Sequence, residues 1–223
     1  MNEDKSLNFQ IAVTGILGAI SIVFSVTPFG YIQIGPLAIT IMHIPVIAAT
    51  VLGGLIPGIG VGLVFGISSL LRTVMLGNLW FYNPLVSIVP RVLFPVVVWL
   101  FLKLLNMIPK FPRVLSASIS AAAGTFMHTL MVMSAICFIY FDSYYVTMKD
   151  KINFEEATLS LKNFLLVIGS VLATNAGYEI ALAAVVTAAL TGSVYIASNA
   201  KSKLAKLEED YRNSKAEEAD SEK

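Results

Sequence analysis

The chain alternates between long apolar runs and short polar segments, and six apolar runs stand out along its length. They cover about 11–26, 42–52, 57–71, 86–105, 115–141 and 164–197. An apolar helix needs roughly 20 residues to cross a bilayer at right angles, so the second and third runs must tilt or lie where the bundle thins the bilayer. The pattern predicts an all-α membrane protein: a six-transmembrane-helix bundle with outer gating loops.

Two loops rich in polar and aromatic residues lie between these runs. The first, Phe29 to Thr40, is too irregular for a helix and too long for a tight turn, so we expect an extended lid at the membrane surface. The second follows the third run and contains Trp80 and Asn83. We therefore expect an amino-terminal segment 1–10, a transmembrane bundle 11–198 and a charged tail 199–223.

Composition excludes several classes of function. Of 223 residues, 57% are hydrophobic and 13% are charged, which is outside the range of soluble domains. The polar segments are too short to hold a separate catalytic domain. A net charge of +1 without a basic patch gives no support to nucleic-acid binding. The single cysteine, Cys137, leaves no internal disulfide framework or thiolate metal cluster, and no metal or cofactor is expected.

Lysine and arginine positions predict the orientation of the bundle. With the amino terminus inside, seven basic residues lie on inner flanks: Lys5, Lys103, Lys110, Arg113, Lys201, Lys203 and Lys206. Four lie on outer flanks: Arg72, Lys149, Lys151 and Lys162. Because cytoplasmic loops carry the excess of basic residues, we expect both termini in the cytoplasm and both gating loops on the outer face.

Arg72 and Arg91 bracket the second loop and are the two arginines expected at membrane depth. An arginine in an apolar span is costly and marks a functional site by default. Arg91 follows Pro90 near the start of the fourth run, where its guanidinium can meet a carboxylate or phosphate in bidentate geometry. The alternative is a structural ion pair with Glu179, and both interactions can hold in turn.

Other polar and aromatic residues complete the candidate binding site. Asn83, Asn175 and Glu179 need partners or a ligand if they lie in an apolar interior. Asn175 and Glu179 are four residues apart and share a helix face. Aromatic residues near the loops can wall a pocket or form an interfacial belt. The candidate substrate-binding set is Arg91, Asn83, Asn175, Glu179, Tyr31, Trp80, Arg72, His43 and His128.

His43 and His128 are the only histidines, and neither has a second metal ligand at helical spacing. A structural or hydrogen-bonding role is therefore favoured over metal binding. The glycine string after Pro57 lacks the strand and acidic residue of a dinucleotide site and indicates close helix packing instead. The chain has no Walker motif, so a protein that binds a small molecule from outside needs an energy source in a partner.

The first apolar run carries small residues at helical spacing, namely Ala12, Gly15, Gly18 and Ala19. Small residues let another helix approach closely. Two alternatives remain open, which are packing within this chain and docking to a partner membrane protein.

Four groups of residues together resemble the substrate-binding S component of energy-coupling factor (ECF) vitamin transporters. They are Thr40-Ile-Met-His43-Ile-Pro45-Val46, the segment Gly58 to Leu70, Asn83-Pro84 with Val89-Pro90-Arg91, and Ala173-Thr-Asn175-Ala-Gly-Tyr-Glu179. The resemblance spans about Ile11 to Ala197, and Gly15-Ile-Leu-Gly-Ala19 looks like the family's small-residue motif.

The resemblance implies a multi-pass protein of the bacterial cell membrane that captures a small water-soluble vitamin outside the cell. Pantothenate members are most similar, and folate, riboflavin and pyridoxine members are neighbours. The family implies no enzymatic activity and a first span that docks onto a membrane coupling subunit driven by two ATPases. Two rival hypotheses are a small intramembrane enzyme using His43, His128 and Glu179, and a scaffold of the cell envelope.

Overall fold

The computed structural model describes residues 6–27, 30–34, 37–76, 81–148, 160–171 and 176–221. Helices dominate these residues, and one β-hairpin lies near the amino terminus. The elements in chain order are α1 (Leu7–Val26), β1 (Tyr31–Ile34), β2 (Leu37–Thr40), α2 (His43–Gly53), α3 (Leu55–Leu76), α4 (Pro84–Ser87), α5 (Val89–Asn106), α6 (Arg113–Met148), α7 (Leu161–Val171) and α8 (Gly177–Ser221).

Within the described residues, five helical segments are long and apolar enough to cross a membrane. They are α1, α3, α4 with α5, α6 and α8. The structure thus confirms a helical bundle, while the count of six spans stays a prediction. The predicted second span is the 11-residue helix α2, and the predicted sixth span, 164–197, overlaps α7 and α8. Nine of the 11 residues of α2 are buried, because longer helices surround it.

The segment predicted as an irregular, extended lid contains a short β-hairpin within an otherwise helical fold. Strands β1 and β2 are antiparallel, and Tyr31 lies opposite Thr40. Gly30 closes the base of the hairpin, because its carbonyl accepts bonds from the Ile41 N–H at 3.1 Å and the Thr40 hydroxyl at 3.2 Å. Each strand has only four residues, which is too short for period-two alternation to stand out in the sequence.

Helix α1 packs against α3 along one face. Gly18, Ser21 and Ser25 are the buried residues of α1. A Cβ on Gly18 would lie 3.7 Å from Val64 of α3, which is ordinary contact. The carboxyl end of α1 is fastened to the same helix, because Arg72 Nη1 donates to the Ser25 carbonyl at 2.7 Å. Helices α1 and α3 are therefore joined along their length and at one end.

Three glycines of α3 allow α5 to approach closely, which confirms the packing interpretation of the glycine string. A Cβ on Gly62 would overlap the backbone carbonyl oxygen of Arg91, and one on Gly66 would come within 3.0 Å of the Cα of Ile88. A Cβ on Gly58 would meet Pro95 at 2.9 Å. The glycines at positions 58, 62 and 66 lie four residues apart and thus on one face of α3.

Replacing Gly62 by alanine is expected to lower the free energy of unfolding by about 1–3 kcal/mol. The new methyl group meets backbone of Arg91 and cannot be relieved by a rotamer change. Thermal unfolding of the purified protein in detergent measures the effect. Gly192→Ala is the matched control, because a Cβ there meets nothing within 4 Å. The control should lose no stability, since alanine favours a helix by roughly 1 kcal/mol over glycine. Equal stability of the two variants would contradict the close α3/α5 approach.

Candidate functional site

Four helices bring polar side chains into the apolar core of the bundle. His43 is the first residue of α2, Arg91 lies in the first turn of α5, His128 lies within α6, and Glu179 lies in the first turn of α8. Their side chains are 2%, 5%, 4% and 8% exposed, respectively. Burying a polar group costs free energy unless the group is hydrogen-bonded or paired with an opposite charge. We therefore expect each of the four side chains to have a partner in the protein or in a ligand. We call these four residues the buried polar cluster.

Two aromatic rings and a helix terminus hold the Arg91 guanidinium. Its Nη1 donates to the carbonyl of Val86 in the short helix α4. The guanidinium carbon lies 5.4 Å from the centre of the Phe65 ring and 5.1 Å from that of Phe81. Both distances are within the range of cation–π attraction. The sequence singled out Arg91 as a charge in an apolar span but gave no indication of Phe65.

Glu179 connects α8 to the base of the hairpin. Its Oε1 accepts a hydrogen bond from the Thr40 N–H at 2.7 Å. Thr40 is the last residue of β2 and pairs with Tyr31 of β1. A bond between a carboxylate and a backbone N–H is charge-assisted and stronger than a neutral one. Glu179 therefore fastens the hairpin to α8, a role that its position in the sequence did not reveal.

His43 and His128 form a hydrogen-bonded pair although 85 residues separate them. His43 Nε2 and His128 Nδ1 are 2.8 Å apart. The two rings are almost perpendicular, at 83°, and the Phe94 ring centre lies 5.4 Å from that of His43 and 5.3 Å from that of His128. Over the described ranges, no group of three or more His, Cys, Asp or Glu residues is arranged to hold a metal ion.

Two further candidates contact the ends of helices. Asn83 is the N-cap of α4, where its Oδ1 accepts from the Leu85 N–H at 2.9 Å. Arg72 caps the end of α1, as described above. Of Tyr31 the structure describes only the backbone, in β1, and Trp80 and Asn175 lie outside the described residues. Four of the nine candidate residues are therefore buried in the core.

The small-residue face of α1 is divided between an inner and an outer side. Gly18 faces α3, whereas Ala12, Gly15 and Ala19 are exposed. A Cβ on Gly15 would meet nothing within 4 Å. Three of the four small residues thus lie on a surface of α1 that the described part of the bundle leaves exposed.

Two matches to known proteins bear on the class of this chain. The family model described as "ECF transporter, substrate-specific component" matches residues 9–191. The pantothenic acid transporter PanT of Lactococcus lactis subsp. cremoris (strain MG1363) is 24% identical over 216 residues, covering 87% of this chain and 98% of the relative. The family match takes in the whole buried polar cluster and the hairpin.

These matches decide between the classes of protein considered for this chain. Membership of a family of transport components confirms that the protein is not an enzyme, so the intramembrane-enzyme hypothesis is wrong. The family and the apolar helices together make it a multi-pass membrane protein. The chain belongs to the family of ECF transporter substrate-specific components.

Proposed function

We propose that this protein is the high-affinity subunit that captures pantothenate outside the cell and delivers it through an ATP-driven ECF module. The observation that carries the proposal is the buried guanidinium of Arg91, 5% exposed in the core of an apolar bundle. A buried cation at such a position is retained where it binds something, and a carboxylate is its natural partner. Pantothenate carries one carboxylate, and the relative PanT is described as a pantothenic acid transporter.

The other groups of the cluster suit the rest of the same molecule. Pantothenate has two hydroxyl groups, an amide and a branched apolar carbon. The imidazoles of His43 and His128 can exchange hydrogen bonds with hydroxyl or amide groups. The rings of Phe65 and Phe94, both 0% exposed, supply apolar surface beside these imidazoles. Binding sites for small molecules commonly combine such apolar walls with a few convergent polar groups.

The hairpin and α1 supply the two remaining parts of the proposal. The hairpin is the proposed lid, which Glu179 holds over α8 through Thr40. The exposed residues Ala12, Gly15 and Ala19 of α1 are the proposed docking face for the membrane coupling subunit, which two ATPases drive. We further propose six spans with both termini in the cytoplasm, so that the lid faces the outside.

The proposal is tested by calorimetric titration of the purified protein with pantothenate. We expect stoichiometric binding without ATP and without an ion gradient, because the sequence contains no nucleotide-binding motif and no series of coupling residues across the bundle. Riboflavin and pyridoxine, which have no carboxylate, should not compete. A strict sodium dependence of the affinity would contradict the uncoupled mechanism, and absence of pantothenate binding would reject the substrate.

A further inference from the structure

His128 carries a ring nitrogen for which the described residues offer no hydrogen-bond partner. His128 Nε2 is buried, and across the segments that the structure describes nothing lies in hydrogen-bonding position to it. A buried polar atom without a partner lowers the stability of the folded protein. Native proteins contain few such atoms, and each calls for an explanation. The other nitrogen of the same ring is paired with His43, so the ring is held in place with Nε2 at its unpaired end.

The neighbouring contacts determine which nitrogens carry hydrogen. His43 Nδ1 lies 3.3 Å from the carbonyl oxygen of Thr40. A carbonyl only accepts, so His43 Nδ1 must carry the hydrogen and donate it. In neutral His43 the other nitrogen, Nε2, is then an acceptor. His128 Nδ1, at 2.8 Å from it, must therefore be the donor. If His128 is also neutral, its Nε2 is left with a lone pair and no hydrogen.

The surroundings of the pair favour two neutral rings. Phe65 packs beside both the Arg91 guanidinium, at 5.4 Å, and the His128 ring, at 6.2 Å between centres. A protonated imidazole would place a second positive charge close to the guanidinium in a buried, weakly polar region. Like charges repel strongly where the dielectric constant is low. The series of hydrogen bonds that runs from the Thr40 carbonyl through His43 to His128 therefore ends in an acceptor, His128 Nε2.

We infer that His128 Nε2 accepts a hydrogen bond from the bound ligand, so that the site selects a molecule bearing a hydroxyl or amide N–H donor as well as a carboxylate. The inference rests on the proposed function, because it assigns the ligand to the buried polar cluster. A ligand that places a carbonyl or carboxylate oxygen against Nε2 should bind poorly, because two acceptor atoms repel each other and form no hydrogen bond. His43 is a positioning residue in this arrangement: it fixes the tautomer of His128 and does not itself need to contact the ligand.

The tautomers can be measured without any ligand. In protein labelled with 15N at histidine, long-range proton–nitrogen spectra distinguish a nitrogen that carries hydrogen from one that does not. We expect both rings as the Nδ1–H tautomer, with a bare Nε2 on His128. An Nε2–H tautomer of His128, or a doubly protonated ring, would overturn the inference whatever the ligand is.

Binding tests the contact itself. In His128→Phe the acceptor is lost and ring size is nearly kept, and pantothenate affinity should fall roughly tenfold. Two analogues of pantothenate identify the ligand group that donates to His128 Nε2, and both keep the carboxylate. One lacks both hydroxyl groups, and the other has a methyl group on the amide nitrogen. The analogue that lacks the relevant donor should bind wild type roughly tenfold more weakly and should be insensitive to His128→Phe.

The control and the contrary outcomes are distinct. Met127→Phe places the same ring on the outward side of α6, where Met127 is 37% exposed, and should leave affinity unchanged. Unchanged pantothenate affinity in folded His128→Phe, or an equal loss for pantothenate and both analogues, would overturn the inference. If wild type does not bind pantothenate, the proposed substrate is rejected, and the 15N spectra alone decide for or against the acceptor at His128.

Discussion

Pantothenate is expected to bind the Arg91→Ala variant roughly 30-fold or more weakly than wild type. Removing one member of a buried, hydrogen-bonded charge pair typically costs about 2–5 kcal/mol. Arg91→Lys should recover only part of the loss, because an ammonium group cannot present the planar fork of a guanidinium and loses the stacking against Phe65 and Phe81. Calorimetric titration of the three proteins measures these differences.

The carboxamide of pantothenate provides the matched ligand for this experiment. It keeps the size and hydroxyls of the vitamin but removes the charge, so wild type should bind it with a penalty similar to that of Arg91→Ala. The variant itself should bind acid and amide about equally. If wild type binds acid and amide with equal affinity, Arg91 does not contact the carboxylate.

The alternative role of Arg91 as a structural partner of Glu179 predicts another outcome. In that case Arg91→Ala should destabilise the protein, and adding Glu179→Gln should restore both stability and binding. We expect no such rescue, because Glu179 accepts from the Thr40 N–H and Arg91 donates to the Val86 carbonyl. Thermal unfolding of the single and double variants, measured beside the titrations, separates the two roles.

Tryptophan at Gly15 or Ala19 is expected to abolish uptake by cells while leaving pantothenate binding by the isolated protein intact. Both positions are exposed on α1, and a Cβ on Gly15 meets no atom of the bundle within 4 Å. A large ring there leaves the fold undisturbed but prevents the close approach of a partner helix. Uptake of labelled pantothenate and calorimetry on the same variants provide the two measurements.

Ile20→Trp is the control for the docking face. Ile20 is 37% exposed and lies about 100° round the helix from Ala19, so the same bulk is placed on a different side of α1. This variant should transport normally. Retained uptake in both Gly15→Trp and Ala19→Trp would show that the small-residue face is not where the partner docks, without bearing on the ligand site.

The apolar runs predicted most of the helices because burial in lipid demands long, unbroken hydrophobic segments. The fifth predicted span, 115–141, lies within α6, and the fourth, 86–105, lies within α4 and α5. The hairpin was missed because two four-residue strands carry too little pattern to be distinguished from a loop.

From the sequence, candidate site residues could be predicted only where a charged side chain lies in an apolar span, because burying a charge costs much free energy. Arg91 and Glu179 stood out because charges are rare in apolar spans. Arg72 satisfied the same rule, yet it binds backbone carbonyls at the end of α1. The sequence did not indicate this contact, because it does not show which helix ends lie near an arginine. The pairing of His43 with His128 depends on how α2 packs against α6, and nothing local to either residue indicates it.

The line of close contacts across α1, α3 and α5 has a mechanical consequence. Thr14 of α1 packs against Gly60 of α3, where an added Cβ would lie 2.8 Å from the threonine methyl group. Gly62, half a turn further along α3, packs against the backbone carbonyl of Arg91. A tilt of α1 would therefore reach the arginine through packed atoms without crossing a loop, and packed interiors deform little. A force applied to the exposed side of α1 would in this way act on the backbone of Arg91. A partner that moves α1 would also move the backbone that carries Arg91, and this movement is the condition under which docking and ligand binding change each other's free energy.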